Sequence, residues 1–138
     1  MKLYAVIDTN VLVSAMLKME SVPGIVLQYI YAGNVVPVYN DEILSEYKNV
    51  LSRPKFHFNA QVIDFLIGRI QTLGLKEESL VQIQEAMPDP KDIVFYSVAL
   101  AHGETKLVTG NIKHFPNSPL VMTPREFLDL ILKSCNSF

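Results

Sequence analysis

The sequence predicts an α/β protein, a three-layer α/β/α sandwich with a central parallel sheet. Short apolar runs of strand character are separated by helical patterns throughout the chain, the alternation that builds a parallel sheet covered on both faces. The first run, Leu3 to Ile7, is continuously apolar, as a strand buried on both sides must be. A later segment, Ile93 to Ala101, is almost wholly apolar and is therefore expected to form a buried helix.

The elements follow in order. After the strand Leu3 to Ile7, the stretch Val11 to Lys18 is helical in composition. Ser21-Val22-Pro23-Gly24 separates it from a second short helix ending near Ala32-Gly33. Val35 to Tyr39 is the second strand, and Asn40 or Asp41 can cap the helix after it. That helix carries Ile43, Leu44, Tyr47, Val50 and Leu51 as one apolar stripe, with Glu42, Glu46 and Asn49 on its other side. A further helix runs from about Asn59 to Leu73, with Gly74 just past its end. Val81 to Ile83 is expected to be a short strand. Asp89-Pro90-Lys91-Asp92 then opens the apolar helix, which His102-Gly103 closes. Lys106 to Thr109 and Leu120 to Met122 read as strands. Thr123-Pro124-Arg125-Glu126 is a capping box with proline in the first turn, leading into a last helix with Phe127, Leu130 and Ile131.

Composition narrows the function classes. The chain has 138 residues, 49% of them apolar, with no repeat and no change of composition that would divide it, so residues 1–138 are expected to form a single domain. No apolar stretch approaches the roughly 20 residues of a membrane span, and neither a signal peptide nor a transmembrane segment is expected. One cysteine, Cys135, excludes an internal disulfide and suggests an inert thiol in a cytoplasmic protein. A net charge of -2 neither attracts nor forbids nucleic acid as a whole, so a polyanion must be drawn locally. A bound divalent cation could do that, as could the stretch Arg53-Pro54-Lys55-Phe56-His57-Phe58. The positive mean hydropathy of +0.23 favours a face for self-association, and a homodimer is expected.

Chemistry concentrates in three segments: Asp8-Thr9-Asn10, Asp89-Pro90-Lys91-Asp92 and Thr109-Gly110-Asn111. The first and third end strands, and the carboxyl ends of parallel strands share one edge, where ligands bind in open α/β sheets. Like charges about 4 Å apart repel by several kcal/mol at a surface-like dielectric, a cost that a hard divalent cation with oxygen ligands removes. Mg²⁺ or Mn²⁺ is the natural guest. Asp89 and Asp92 also have an ordinary reading as capping residues, Asp8 could cap the first helix in competition with Thr9 or Asn10, and Glu46 has a local rival in Glu42.

These segments, in this order, resemble the PIN-domain ribonucleases, in particular single-domain proteins described as toxin components of bacterial toxin-antitoxin pairs. The matching pieces are Ile7-Asp8-Thr9-Asn10-Val11-Leu12, Glu46-Tyr47, Val50-Leu51-Ser52-Arg53-Pro54-Lys55-Phe56, Asp89-Pro90-Lys91-Asp92 and Leu107-Val108-Thr109-Gly110-Asn111. The resemblance implies a PIN-like fold and a Mg²⁺- or Mn²⁺-dependent endonuclease cutting single-stranded RNA. Asp8, Glu46 and Asp92 match the catalytic acids and metal ligands. Asn10, Asp89, Thr109 and Asn111 stand as supporting residues, and RNA and an antitoxin protein as partners.

One position departs from the family pattern. Many members read Thr-Gly-Asp where this chain reads Thr109-Gly110-Asn111, and the alternative acid position is His114. Asn111 offers a cation only a carbonyl oxygen, so one well-held ion is expected rather than two. Lys113 and His114, just past that turn, are the better candidates for phosphate contact, ahead of Arg53 and Lys55. A catalytically weak partner-binding or regulatory module is the alternative function. A phosphatase of the haloacid dehalogenase type would want a second acid where Asn10 stands.

Overall fold

The computed structural model describes residues 2–135, except that the Cys135 side chain, expected to be inert, lies outside the described part. The elements are β1 (Leu3–Ile7), α1 (Thr9–Leu17), α2 (Val22–Tyr31), β2 (Val35–Tyr39), α3 (Asp41–Leu51), α4 (Ala60–Leu73), β3 (Leu75–Lys76), α5 (Ile93–Ala101), β4 (Thr105–Val108), β5 (Val121–Met122) and α6 (Pro124–Cys135). Single 3₁₀ turns lie at Pro54–Phe56, Pro90–Asp92 and Ile112–His114. The five strands are all parallel in the order β3-β2-β1-β4-β5, the sheet of an α/β/α fold.

Local chemistry explains most of the boundaries. Asn40 Oδ1 accepts the Ile43 N–H at 2.9 Å and starts α3, while Ser21 Oγ accepts the Gly24 N–H and starts α2. Thr123 and Glu126 form the reciprocal capping box at the start of α6, with bonds of 2.9 and 3.1 Å. Gly74 ends α4 where a Cβ would fall 2.4 Å from the carbonyl oxygens of both Ile70 and Pro37. Only glycine lets the chain pass that close to β2 and pair beside it.

The sheet differs from the sequence expectation at one strand. Val81 to Ile83 does not form a strand; the outer partner of β2 is Leu75–Lys76. The reason is the Ser97 hydroxyl on α5, which accepts the Val81 N–H at 2.9 Å and donates to the Val81 carbonyl at 2.7 Å. One side chain thereby satisfies both backbone groups that a strand ladder would have used. Smaller shifts occur elsewhere: α1 begins at Thr9 rather than Val11, and β4 covers Thr105–Val108, although the Thr109 N–H still donates to the Met122 carbonyl of β5 at 2.9 Å.

Strand order positions the site. From β1 the chain builds outward through β2 and β3 on one side, then returns to place β4 and β5 on the other. The crevice between the carboxyl ends of β1 and β4 is therefore a topological switch point, where open α/β sheets bind ligands. Beneath it the core is closed by the fully buried Ile7, Tyr47, Phe95 and Leu107. Among the described residues, no single helix is long and apolar enough to cross a membrane.

Candidate active site

Asp8 stands at the switch point. Its N–H continues the β1–β4 pairing by donating to the Val108 carbonyl at 2.9 Å. By backbone it occupies the capping position of α1, yet its side chain makes no capping bond, and neither Thr9 nor Asn10 takes that job. The carboxylate points across the crevice instead: Oδ2 accepts the Thr109 hydroxyl at 2.8 Å and the Asn10 amide at 3.3 Å. Thr109 is fully buried, and its Oγ1 accepts the Asn111 N–H at 3.0 Å. Asn10 Oδ1 accepts the Gly110 N–H at 3.1 Å, so the start of α1 and the turn after β4 are stitched together around this one acid. Burial pushes the Asp8 carboxyl up to about 6; the Thr109 bond opposes that shift and the charge of Asp92 adds to it.

Asp92 arrives from the far side. It closes the turn Pro90–Asp92 and sits at the capping position of α5, again with no side-chain capping bond. Its half-buried carboxyl is held above the usual carboxylate range, first by burial and then by the charge of Asp89. Glu46, half-buried on α3, adds to the same effect, whereas His114 opposes it with Nδ1 3.4 Å from Asp92 Oδ2. Both α1 and α5 thus begin at an acid, and the partial positive charge of a helix N-terminus favours the anion. Asp89 keeps its structural role, its side chain accepting the Lys91 N–H at 3.0 Å. A protein-family model for the PIN domain matches residues 4–113.

The chain belongs to the PIN-domain family. PIN domains are nucleases, so the family carries a nuclease-type function to this chain. Searches of the curated proteins and of the solved structures give no match.

PIN-domain nucleases generally use divalent metal ions. Among the described residues, no three His, Cys, Asp or Glu side chains form a ready-made metal group. What this PIN domain offers is sparser: two hard carboxylates, Asp8 and Asp92, with the charge of Glu46 behind them. Such a donor set fits Mg²⁺ or Mn²⁺, since Mg²⁺ keeps several waters and is held by one or two carboxylates together with substrate phosphate. The hydroxyl of Thr9, next to Asp8, is buried without a hydrogen-bond partner, a polar oxygen that a water of hydration would satisfy.

Other residues singled out in the sequence fall in different places. Asn111 and His114 join the cluster around Asp8 and Asp92, the Asn111 amide lying 2.9 Å from His114 Nε2. Glu42 is exposed and lines a groove with Pro90 and Ile93, so Glu46 is the α3 acid whose charge Asp92 feels. Lys113 is exposed on the turn Ile112–His114. Close to Arg53 and Lys55 in the chain, His57 lines a hollow with Met16, at the far end of α1 from Asp8. There Lys55 Nζ lies 5.1 Å from the Phe56 ring, which stacks on Phe58. The role of one residue in the α3 stripe escaped the sequence reading. Tyr47, buried on α3, donates its hydroxyl to the Ile7 carbonyl at 2.5 Å and so pins the residue before Asp8. The available signal was a phenol in an otherwise aliphatic stripe, because a buried hydroxyl needs a partner.

Proposed function

We propose that this PIN domain is a metal-dependent endoribonuclease acting on single-stranded RNA in the cytoplasm, as the toxin of a toxin-antitoxin pair. The observation that carries the reading is the meeting of Asp8 and Asp92 at the switch point, electrostatically coupled and neither spent on capping. Asp8, Asp92 and Glu46 would hold Mg²⁺ or Mn²⁺. When bound, the ion would supply Lewis-acid polarisation of a phosphate oxygen and activation of a water. The chain's own residues do the rest. Thr109 and Asn10 fix the plane of the Asp8 carboxylate. Its burial makes the free anion costly, and a bound cation would offset that cost. A hollow of about 310 Å³, lined by Asn10, Ser14, Pro23 and Asn111 among others, can admit an unstacked base, which suits a single strand. Lys113 offers a positive charge to phosphate. Exposed Leu17, Val62 and Phe65 support self-association as a homodimer.

The test is cleavage of an end-labelled single-stranded RNA with Mn²⁺, with chelator, and with the Asp8→Asn variant. Cleavage that needs the metal and disappears with Asp8→Asn is expected; equal cleavage by that variant sinks the reading. Growth arrest on induction, relieved by a small gene encoded alongside, would identify the toxin role. A second reading, a partner-binding module with weak catalysis, draws on Asn111 standing where many family members carry an acid. It predicts RNA or protein binding with no metal-dependent cutting.

A further inference from the structure

Asn111 lies between the two acids and reaches both. Its backbone N–H donates to Thr109 Oγ1 at 3.0 Å, and that hydroxyl donates to Asp8 Oδ2 at 2.8 Å. Its side-chain amide lies 2.9 Å from His114 Nε2, and the other ring nitrogen, Nδ1, lies 3.4 Å from Asp92 Oδ2. Donor and acceptor logic fixes the direction of the second chain. An amide N–H given to Nε2 requires Nε2 to accept, which leaves the ring proton on Nδ1, facing the Asp92 carboxylate. Both chains therefore run outward from Asn111 as consecutive donations, and each ends on a carboxylate oxygen.

We propose that Asn111 is the root of a two-armed brace that fixes Asp8 and Asp92 relative to each other, with His114 as the positioning residue for Asp92. The inference rests on the reading of those two acids as the pair that holds the metal. It gives Asn111 a role other than ligand. A carboxylate at 111 would keep the backbone arm but could not donate to Nε2, so the side-chain arm would no longer hold the neutral ring in its Nδ1–H form. The short turn Ile112–His114 makes the geometry possible, because the His114 N–H bonds back to the Asn111 carbonyl at 3.0 Å and brings the ring over its own partner. The brace adds no negative charge to two carboxyls already raised by burial, Asp8 further by the charge of Asp92 and Asp92 further by that of Asp89.

The test uses ¹⁵N NMR of the His114 ring in the metal-free protein, with Mn²⁺ affinity measured by electron paramagnetic resonance. The native ring should show the Nδ1–H tautomer, and Asn111→Ala should release it. Outer partners of metal-holding side chains typically contribute 10- to 100-fold in affinity, so Asn111→Ala and His114→Ala should each weaken Mn²⁺ binding about 10-fold or more. His114→Gln should recover most of that loss, because its amide can donate to Asp92 while its carbonyl accepts from Asn111. A merely structural role for the ring would not be rescued in this way. Asn111→Asp should weaken binding; tighter binding would make position 111 a ligand and overturn the brace. A native ring in the Nε2–H tautomer would overturn it too, whatever the metal does. Failure of the nuclease reading looks different: the tautomer is as stated, but neither the native protein nor any variant binds Mn²⁺ or cuts RNA.

Discussion

Replacing Asp8 by asparagine should stabilise the metal-free protein above pH 6 while abolishing its activity. Asp8 is 7% exposed, and its carboxyl moves from 3.8 to about 6 on folding. A shift of that size means the folded state pays about 3 kcal/mol to keep Asp8 ionised. The sign follows from proton binding. Between about pH 4 and 6 the folded protein holds a proton that the unfolded chain has lost, so stability falls as pH rises through this window. Below it the carboxyl is neutral in both states and costs nothing; above it the whole penalty is present. Asp8→Asn is neutral throughout and can keep an oxygen toward Thr109 and Asn10, although it loses acceptor capacity toward the Thr9 N–H. The expected gain is therefore about 1–3 kcal/mol at pH 7.5 and near zero at pH 4, read from urea unfolding in the presence of chelator. Mn²⁺ should reverse the ranking by stabilising the native chain and leaving the variant unchanged. A variant less stable than the native protein at pH 7.5, or a difference that does not grow between pH 4 and 6, would refute the account of Asp8 as a strained anion awaiting a cation.

Other substitutions probe the supports. Tyr47→Phe removes the donor to the Ile7 carbonyl and should cost about 1 kcal/mol in urea unfolding; because the residue before Asp8 is loosened, kcat should fall more than KM changes. Gly74→Ala forces a methyl group against two carbonyl oxygens at 2.4 Å and should cost roughly 2 kcal/mol, visible as a lower urea midpoint with an unchanged slope. Lys113→Ala should raise KM for RNA and reduce the salt dependence of binding by about 0.7 in log–log slope if the lysine meets one phosphate, with kcat unaffected. A variant of Lys113 with native salt dependence would remove that residue from the RNA path.

Much of the architecture was legible because periodicity is local. Continuous apolar strands, the stripe of α3, the almost wholly apolar α5 and the capping box of α6 are each written within a dozen residues, and each formed where expected. Val81 to Ile83 shows the limit of that information. Its residues suit a strand, but a serine on α5 captured the backbone first, and nothing near Val81 in the sequence announces Ser97.

The site divides along the same line. An acid after an apolar strand, a second acid at the start of a buried helix, and an asparagine where an acid is common could all be read from the sequence. The pairing of those residues could not. Local spacing did not distinguish Glu46 from Glu42, nor reveal that Asp8 and Asp92 would both decline to cap their helices. Thr109 bonds to a residue 101 positions away, and Tyr47 to one 40 away; such partners are chosen by strand order, register and the direction in which packed helices point their first turns. The sequence by itself determined that an α/β sheet would carry acids at its carboxyl edge. Only the tertiary structure decided which acids meet and that Asn111 turns its amide to His114, because a hydrogen bond is set by distances of a fraction of an ångström that only the packed chain fixes.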